Sequence, residues 1–264
     1  GLFGSNVGTI SNLGVIDVNI TGLYGTGGLV GMNSGAITNS YCTGSVTGDM
    51  ATGGLVGANF TTATIRKSYS NASVTGASGD YGGLVGQHRD GALIADCYST
   101  GNVTRSGGGG TSFGGLVGII TSTSTITNSY STGRVIYAIG VNPTSKGLVG
   151  AVMNVPTFTN NFWDTETSLQ TTTAGTATGK TTAEMKTNTT FLSAGWDDTI
   201  WNMGDGINDG YPYLDWQNPT GTPLPVELSS FSASVVGPTV KLNWNTATEI
   251  NNYGFEIERY ALSA

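Results

Sequence analysis

The chain has 264 residues, a formal net charge of −7, 38% hydrophobic side chains and only 10% charged ones. An acidic balance gains nothing from neutralising phosphates, which disfavours nucleic acid and anionic membrane surfaces as partners. No apolar run approaches the ~18 residues that a membrane-spanning helix needs, and two cysteines are too few for a disulfide framework.

A Gly-Leu-aromatic/Val-Gly core returns six times, at Leu2, Leu29, Leu55, Leu84, Leu116 and Leu148. A period of roughly 20–50 residues marks a repeat architecture in which each unit covers its neighbour's apolar face. Within each repeat an apolar residue follows eight to ten positions later: Ile10, Ile37, Ile65, Ile94, Ile126 and Phe158. A third beat, Asn-Ser-Tyr-x-Thr-Gly-x-Val, runs from Asn39 to Val46 and from Asn128 to Val135, with looser copies at Lys67–Val74 and Asp96–Val103. No helical stripe fits these positions. Short β-branched or aromatic runs bounded by Gly and Asn predict strands of about four to six residues joined by tight turns. Stacked coils then pair in parallel, with like side chains in ladders. The expected fold is all-β, a parallel β-solenoid (β-helix) of about six coils over residues 1–161. The repeated glycines are expected at coil corners, where backbone angles strain other residues.

The run Gly27-Gly28-Leu29-Val30-Gly31-x-Asn33-x-Gly35-x-Ile37-x-Asn39-Ser40-Tyr41 resembles the GLUG repeat of bacterial surface proteins. That resemblance spans residues 1 to about 163. It implies an extracellular or cell-surface solenoid of adhesin-like type and supplies no catalytic residues.

All five tryptophans lie after residue 162. Residues 1–163 hold six Lys/Arg and five Asp/Glu, whereas residues 164–264 hold four and twelve, so the acidity belongs to the second part. Residues 162–217 resemble the segment that closes GLUG arrays and are expected to form a mixed cap whose tryptophans cover the last rung. Within it Thr181-x-x-Glu184 is a capping-box pattern, predicting a short helix from Thr182 to about Thr187. The stretch Gly175-Thr-Ala-Thr-Gly179-Lys180-Thr181 is one residue short of a phosphate-binding loop and lacks an apolar strand before it. Asp205, Asn208 and Asp209 do not fit a regular calcium loop, because Ile207 and Trp216 stand at ligand positions, and they remain candidates for an irregular calcium site; no other cofactor is expected.

Residues 218–225 form a Pro-rich linker. Residues 226–264, with Val240, Leu242 and Trp244 alternating and Phe255 and Ile257 following, resemble the opening strands of a fibronectin-III-like module found before the sorting signal of type IX-secreted proteins. Such a sandwich needs about seven strands and 100 residues, so the module is incomplete. With a first residue already inside a repeat, the chain is expected to be a piece of a longer precursor or a processed product. Val240, Leu242, Trp244, Phe255 and Ile257 are then candidate assembly strands that complete a neighbouring copy's first rung.

Catalysis lacks its players in this reading. The single histidine, His88, lies in Gln87-His88-Arg89-Asp90-Gly91, expected to be a solvent-exposed turn, and Asp17, Asp49, Asp80, Asp90 and Asp96 fall at different repeat positions and form no carboxylate ladder. Cys42 follows its repeat tyrosine and Cys97 precedes its own, so they are expected on opposite sides and too far apart for a bridge. The functional expectation is a non-enzymatic extracellular scaffold with structural or adhesive faces, able to form a homopolymer through its ends. The alternatives are the stalk of a larger secreted enzyme, such as a peptidase or glycosidase, and a carbohydrate-binding module using Trp196, Trp201, Tyr211, Tyr213 and Trp216. A surface glycan or protein is the expected external partner.

Overall fold

The computed structural model describes residues 1–108, 112–204, 206–217, 226–236 and 239–249. Three parallel sheets wrap a right prism of stacked coils. The first sheet takes its strands from Phe3–Asn6, Val30–Asn33, Val56–Asn59, Val85–His88, Val117–Ile120 and Val149–Val152. The second takes Thr9–Ser11, Ala36–Thr38, Thr64–Arg66, Leu93–Ala95, Thr125–Thr127 and Thr157–Thr159. Registers are strict: Val30, Val56, Val85, Val117 and Val149 align, as do Ile10, Ile37, Ile65, Ile94, Ile126 and Phe158. Strands of three or four residues are too short to stand alone. They persist because each backbone group pairs with the rungs above and below while Leu29, Leu55, Leu84, Leu116 and Leu148 fill the interior with full burial.

The third sheet departs from the expected strand length. Its first two rungs are long strands, Gly14–Gly27 and Tyr41–Gly53, and later rungs break the same path into short pieces such as Tyr69–Ser70, Ser73–Gly76 and Asp80–Gly82. It continues past residue 161: Phe162 aligns with Tyr130, and Thr178–Lys180 pairs with Phe162–Asp164. The sheet therefore runs across the 161/162 boundary drawn from composition.

The second glycine of each signature sits, as expected, at the bend that leads into the first sheet, but not at positive φ. The corner from the second sheet to the third is carried by Asn12, Asn39, Lys67, Asp96, Asn128 and Asn160, all at positive φ between 45° and 54°. Short amide and carboxylate side chains tolerate that region through local hydrogen bonds, and Asn39 Nδ2 donates to Asn12 Oδ1 at 3.0 Å. The second glycine of each signature answers a different need. A Cβ on Gly54 would overlap both the Ser70 hydroxyl and the carbonyl of Gly83 on the next rung, so close approach demands glycine there.

Polar loop residues engage the beginning of the first-sheet strand on the last rung. Thr173 Oγ1 accepts from the amides of Leu148 and Val149 at 3.0 and 2.8 Å, and Thr172 O accepts from Gly147 at 3.0 Å. Gln170 lies fully buried, donating from Nε2 to Val135 O at 2.9 Å and accepting from the Lys146 amide, while Trp163 closes the core. These polar loop residues, rather than the tryptophans after 190, satisfy the last rung's strand edge.

Beyond the linker, two long strands, Val226–Val236 and Thr239–Glu249, form an antiparallel hairpin with Val235 opposite Val240, Ala233 opposite Leu242 and Phe231 opposite Trp244. Phe255, Ile257 and the linker 218–225 lie outside the described residues. The hairpin does not form a separate sandwich among the described residues. Its first strand joins the third sheet, pairing in parallel with the opening rung at Glu227–Gly14 and Leu228–Val15.

Candidate functional site

Two side-chain ladders organise the molecule, and both follow from period two along the strands. In the third sheet Tyr41, Tyr69, Tyr98 and Tyr130 point out of the solenoid, while Cys42, Ser70, Ser99 and Ser131 point in. The tyrosine rings stack with centroids 4.9, 4.8 and 5.1 Å apart and interplanar angles below 10°. An outward aromatic stripe of that length needs a cover, and residues 182–217 supply it.

The capping box at Thr181 forms as predicted, with Glu184 Oε2 accepting from the Thr181 amide at 2.9 Å, and the helix runs Thr182–Met185. A second short helix, Asn188–Leu192, which the sequence pattern does not announce, brings Phe191 to the stack. From there the segment runs back along the solenoid flank. Trp196 lies against Phe162 and Tyr130, Trp201 against Tyr130 and Tyr98, and Trp216 against Tyr69 and Tyr41. Most polar tips are matched: Trp216 Nε1 donates to Lys67 O at 2.9 Å, Trp196 Nε1 to Asn160 O at 2.9 Å, and Gln217 Nε2 to the Tyr98 hydroxyl at 2.8 Å, whereas Trp201 Nε1 is buried without a partner among the described residues. Burial drives the phenols of Tyr98 and Tyr130 well above their ordinary range. The unit is thus a lateral cover, and the expectation that its tryptophans lie over the last rung is corrected. Trp196, Trp201, Tyr211 and Tyr213 are buried in the protein, so these rings offer no sugar-stacking face.

The second ladder is polar and lies inside the first sheet. Asn6 Nδ2 donates to Asn33 Oδ1 at 2.7 Å, and Asn33 Nδ2 to Asn59 Oδ1 at 2.7 Å. Each of the first two also clamps its own turn, Asn33 accepting from the Gly35 amide and donating to its carbonyl. On the next rung the position belongs to His88, 0% exposed. The solvent-exposed turn expected for His88 is therefore wrong. Gly86-Gln87-His88 occupies the register of Gly31-Met32-Asn33, and that spacing within the signature is the signal that places it.

Cys42 and Cys97 both face the solenoid interior, against the expectation of opposite sides. Residues immediately before and after a strand residue share the face opposite to it, so flanking a tyrosine on either side leads inward. Both thiols are free and buried, and desolvation pushes that of Cys42 up to about 12, which suits inert core residues. Of the calcium candidates, Asn208 turns its amide toward the Tyr130 hydroxyl and Pro212 O, Asp209 is exposed and Asp205 lies outside the described residues. Among the described residues no group of three or more His, Cys, Asp or Glu side chains is placed to hold a metal ion.

The opening rung also presents apolar side chains. Leu2, Ile10, Leu13 and Val18 are only partly buried there, and Phe3 is exposed. The hairpin strand covers two residues of the third-sheet edge, and a cavity of about 470 Å³ lies between Phe231 and the rung residues Leu2, Val15 and Ile20.

Comparison with known families matches the model of the GLUG motif at residues 48–75, 77–104 and 109–136. The chain carries GLUG repeats. The three matched GLUG units coincide with the central coils, and the structure extends the same coil geometry to rungs on either side of them. No curated protein matches the chain significantly. Among solved structures it resembles a Bacteroides ovatus protein provisionally described as an immunoglobulin A1 protease, with 22% identity, 81% of this chain and 71% of that chain covered, and a TM-score of 0.55. At that identity the likeness concerns the fold. Among the described residues no helix is long and apolar enough to cross a membrane.

Proposed function

We propose that this chain is a non-enzymatic extracellular scaffold of a bacterial cell surface, a GLUG-repeat rod with a structural or adhesive role. The observation that carries the reading is the filling of the interior by continuous Leu, Ile and Asn/His ladders, which makes a stiff rod whose chemistry is on its outer faces. Its single histidine is committed to the interior ladder. Antibody against residues 1–217 tests the placement: labelling of intact cells is expected, and labelling only after permeabilisation overturns it.

A second feature favours self-assembly. At the last rung Thr172, Thr173 and Gln170 engage the first-sheet edge, and at the first rung a strand from the chain's own second part lies on the third-sheet edge. In this reading the strand that opens at Val226 is a donor that can complete the first rung of its own chain or of a neighbour, and exchange between copies gives a filament. On the last rung the amides of Leu148 and Val149 are already engaged, which leaves the strand at Val226 as the donor this reading uses. Negative-stain microscopy of the full chain is expected to show filaments that Leu228→Pro abolishes by removing a pairing amide; monomeric rods at every concentration overturn the assembly reading.

A stalk role beside a catalytic domain in a larger secreted enzyme draws on the provisional description of the Bacteroides ovatus protein. It leaves the rod and its open edge unchanged and differs in what the chain is attached to.

A further inference from the structure

The two sides of the opening third-sheet strand, Gly14–Gly27, are used unequally. On one side it pairs with Tyr41–Gly53 from Gly14 through to Gly27. On the other side the hairpin strand meets it at Gly14 and Val15 alone among the described residues. A register shift between Val15 and Val18 marks a bulge, and a bulge bends a strand and ends pairing where it stands. From Val18 to Tyr24 the strand therefore has no described neighbour on that side, and its edge offers backbone donors and acceptors at every second residue, about 6.8 Å apart.

The side chains on this stretch tell the same story. Ile20 opens a ladder continued by Val46, Val74, Val103 and Val135. The four valines are 0% exposed, whereas Ile20, with a rung on one side only, is partly buried. Beside it lies the cavity of about 470 Å³, walled by Leu2, Val15 and Val18 on the rod and by Phe231 on the hairpin. Asp17 also lines it, is exposed, and makes no ion pair among the described residues.

An unpaired strand edge and an apolar pocket beside it are the two parts of strand addition, in which backbone hydrogen bonds supply affinity and pockets for alternate side chains supply specificity. We propose that the edge from Val18 to Tyr24 binds an extended peptide of another protein, with an apolar β-branched residue opposite Ile20 and a basic residue beside Asp17. The ladder sets the first preference, since valine takes the matching place on the other side at Val46. A glycan or a nucleotide does not reproduce the regular alternation of amide and carbonyl that an edge strand matches, and Phe231 across the cavity asks for apolar contact. Leu23 and Tyr24, 76% and 53% exposed, add apolar surface at the far end of the same edge.

This interaction goes beyond the scaffold reading and uses a stretch of edge that the hairpin strand does not reach. The probe is a fluorescein-labelled peptide, Lys-Val-Thr-Val-Thr-Val-Thr, titrated with the full chain and followed by anisotropy. Saturable one-to-one binding with a Kd below about 300 μM is expected. Threonine in place of the central valine is expected to weaken it at least about fivefold, and Ile20→Asn in the protein likewise. Backbone pairing has its own signature, because successive amides of a strand point to opposite sides: N-methylation of alternate amides in one phase is expected to abolish binding and in the other phase to leave it within about twofold. No saturation at about 1 mM chain, or equal binding by both methylated peptides, overturns the proposal. Monomeric rods under the microscope, by contrast, overturn strand exchange and leave the peptide's affinity standing.

Discussion

Asn59 Nδ2 lies 3.2 Å from His88 Nδ1, and this contact fixes the protonation of a fully buried imidazole. The ladder below runs in one sense, amide nitrogen to amide oxygen from Asn6 through Asn33 to Asn59, so Asn59 presents a donor and Nδ1 must accept. Nε2 then carries the proton and donates to Thr125 O at 3.0 Å. A charged ring would set its Nδ1–H against the Asn59 N–H in a fully buried site, and burial lowers the His88 pKa to about 4.

The unfolded ring titrates near 6.5, above its folded value, so the unfolded chain binds the extra proton first as pH falls. Stability from this site is complete above about 6.5 and is lost as pH drops toward 4, by about 3 kcal/mol from His88 alone. His88→Asn continues the amide ladder and removes the titration. Urea midpoints for the two proteins are expected to diverge between pH 6.5 and 4, the variant losing less; parallel profiles would show that His88 is not the titrating group.

Tyr98 is the centre of the outer stack, with Tyr69 at 4.8 Å, Tyr130 at 5.1 Å and Gln217 on its hydroxyl. Tyr98→Ala is expected to cost about 3–5 kcal/mol by opening a cavity beneath Trp201, whereas Tyr98→Phe costs about 1 kcal/mol for the lost hydrogen bond. Thermal melts followed by tryptophan fluorescence check both, since the cover holds Trp196, Trp201 and Trp216.

Lys67 stands at φ 46° in a corner ladder otherwise made of Asn and Asp. Lys67→Asn puts a residue tolerant of the left-handed region between Asn39 and Asp96 and is expected to stabilise by about 1 kcal/mol. A melting point unchanged or lowered would mean that the corner carries no strain.

Gly54 and Gly8 separate two uses of glycine. Gly54→Ala collides with the Gly83 carbonyl as well as with the Ser70 hydroxyl, and a backbone atom cannot step aside, so a loss above about 2 kcal/mol is expected. A Cβ on Gly8 meets nothing within 4 Å, and Gly8→Ala is expected to stay within about 0.5 kcal/mol of the parent.

The coils were legible in the sequence because stacking turns every core position into a repeat, so Leu29, Ile37 and Tyr41 announce their partners on each later rung. His88 was misplaced because its neighbours Arg89 and Asp90 are charged; register within the signature decides its position, while local polarity does not. The cysteines were misassigned by treating before and after Tyr as different faces. The second part of the chain has no period, and nothing local to Trp201 or Trp216 reveals that their partners are the distant tyrosines Tyr98, Tyr130, Tyr69 and Tyr41.

The strand that opens at Val226 is laid on the third-sheet edge of the first rung, and a cysteine pair reads that contact directly. Leu228 and Val15 stand opposite one another in the parallel register, within bridging range for adjacent strands. Leu228→Cys with Val15→Cys, in a chain whose Cys42 and Cys97 are replaced by serine, is oxidised and run without reductant. The account predicts efficient disulfide formation, as compact monomers where the strand serves its own chain and as a ladder of multimers where it is exchanged. Free thiols in a folded protein under oxidising conditions would contradict it.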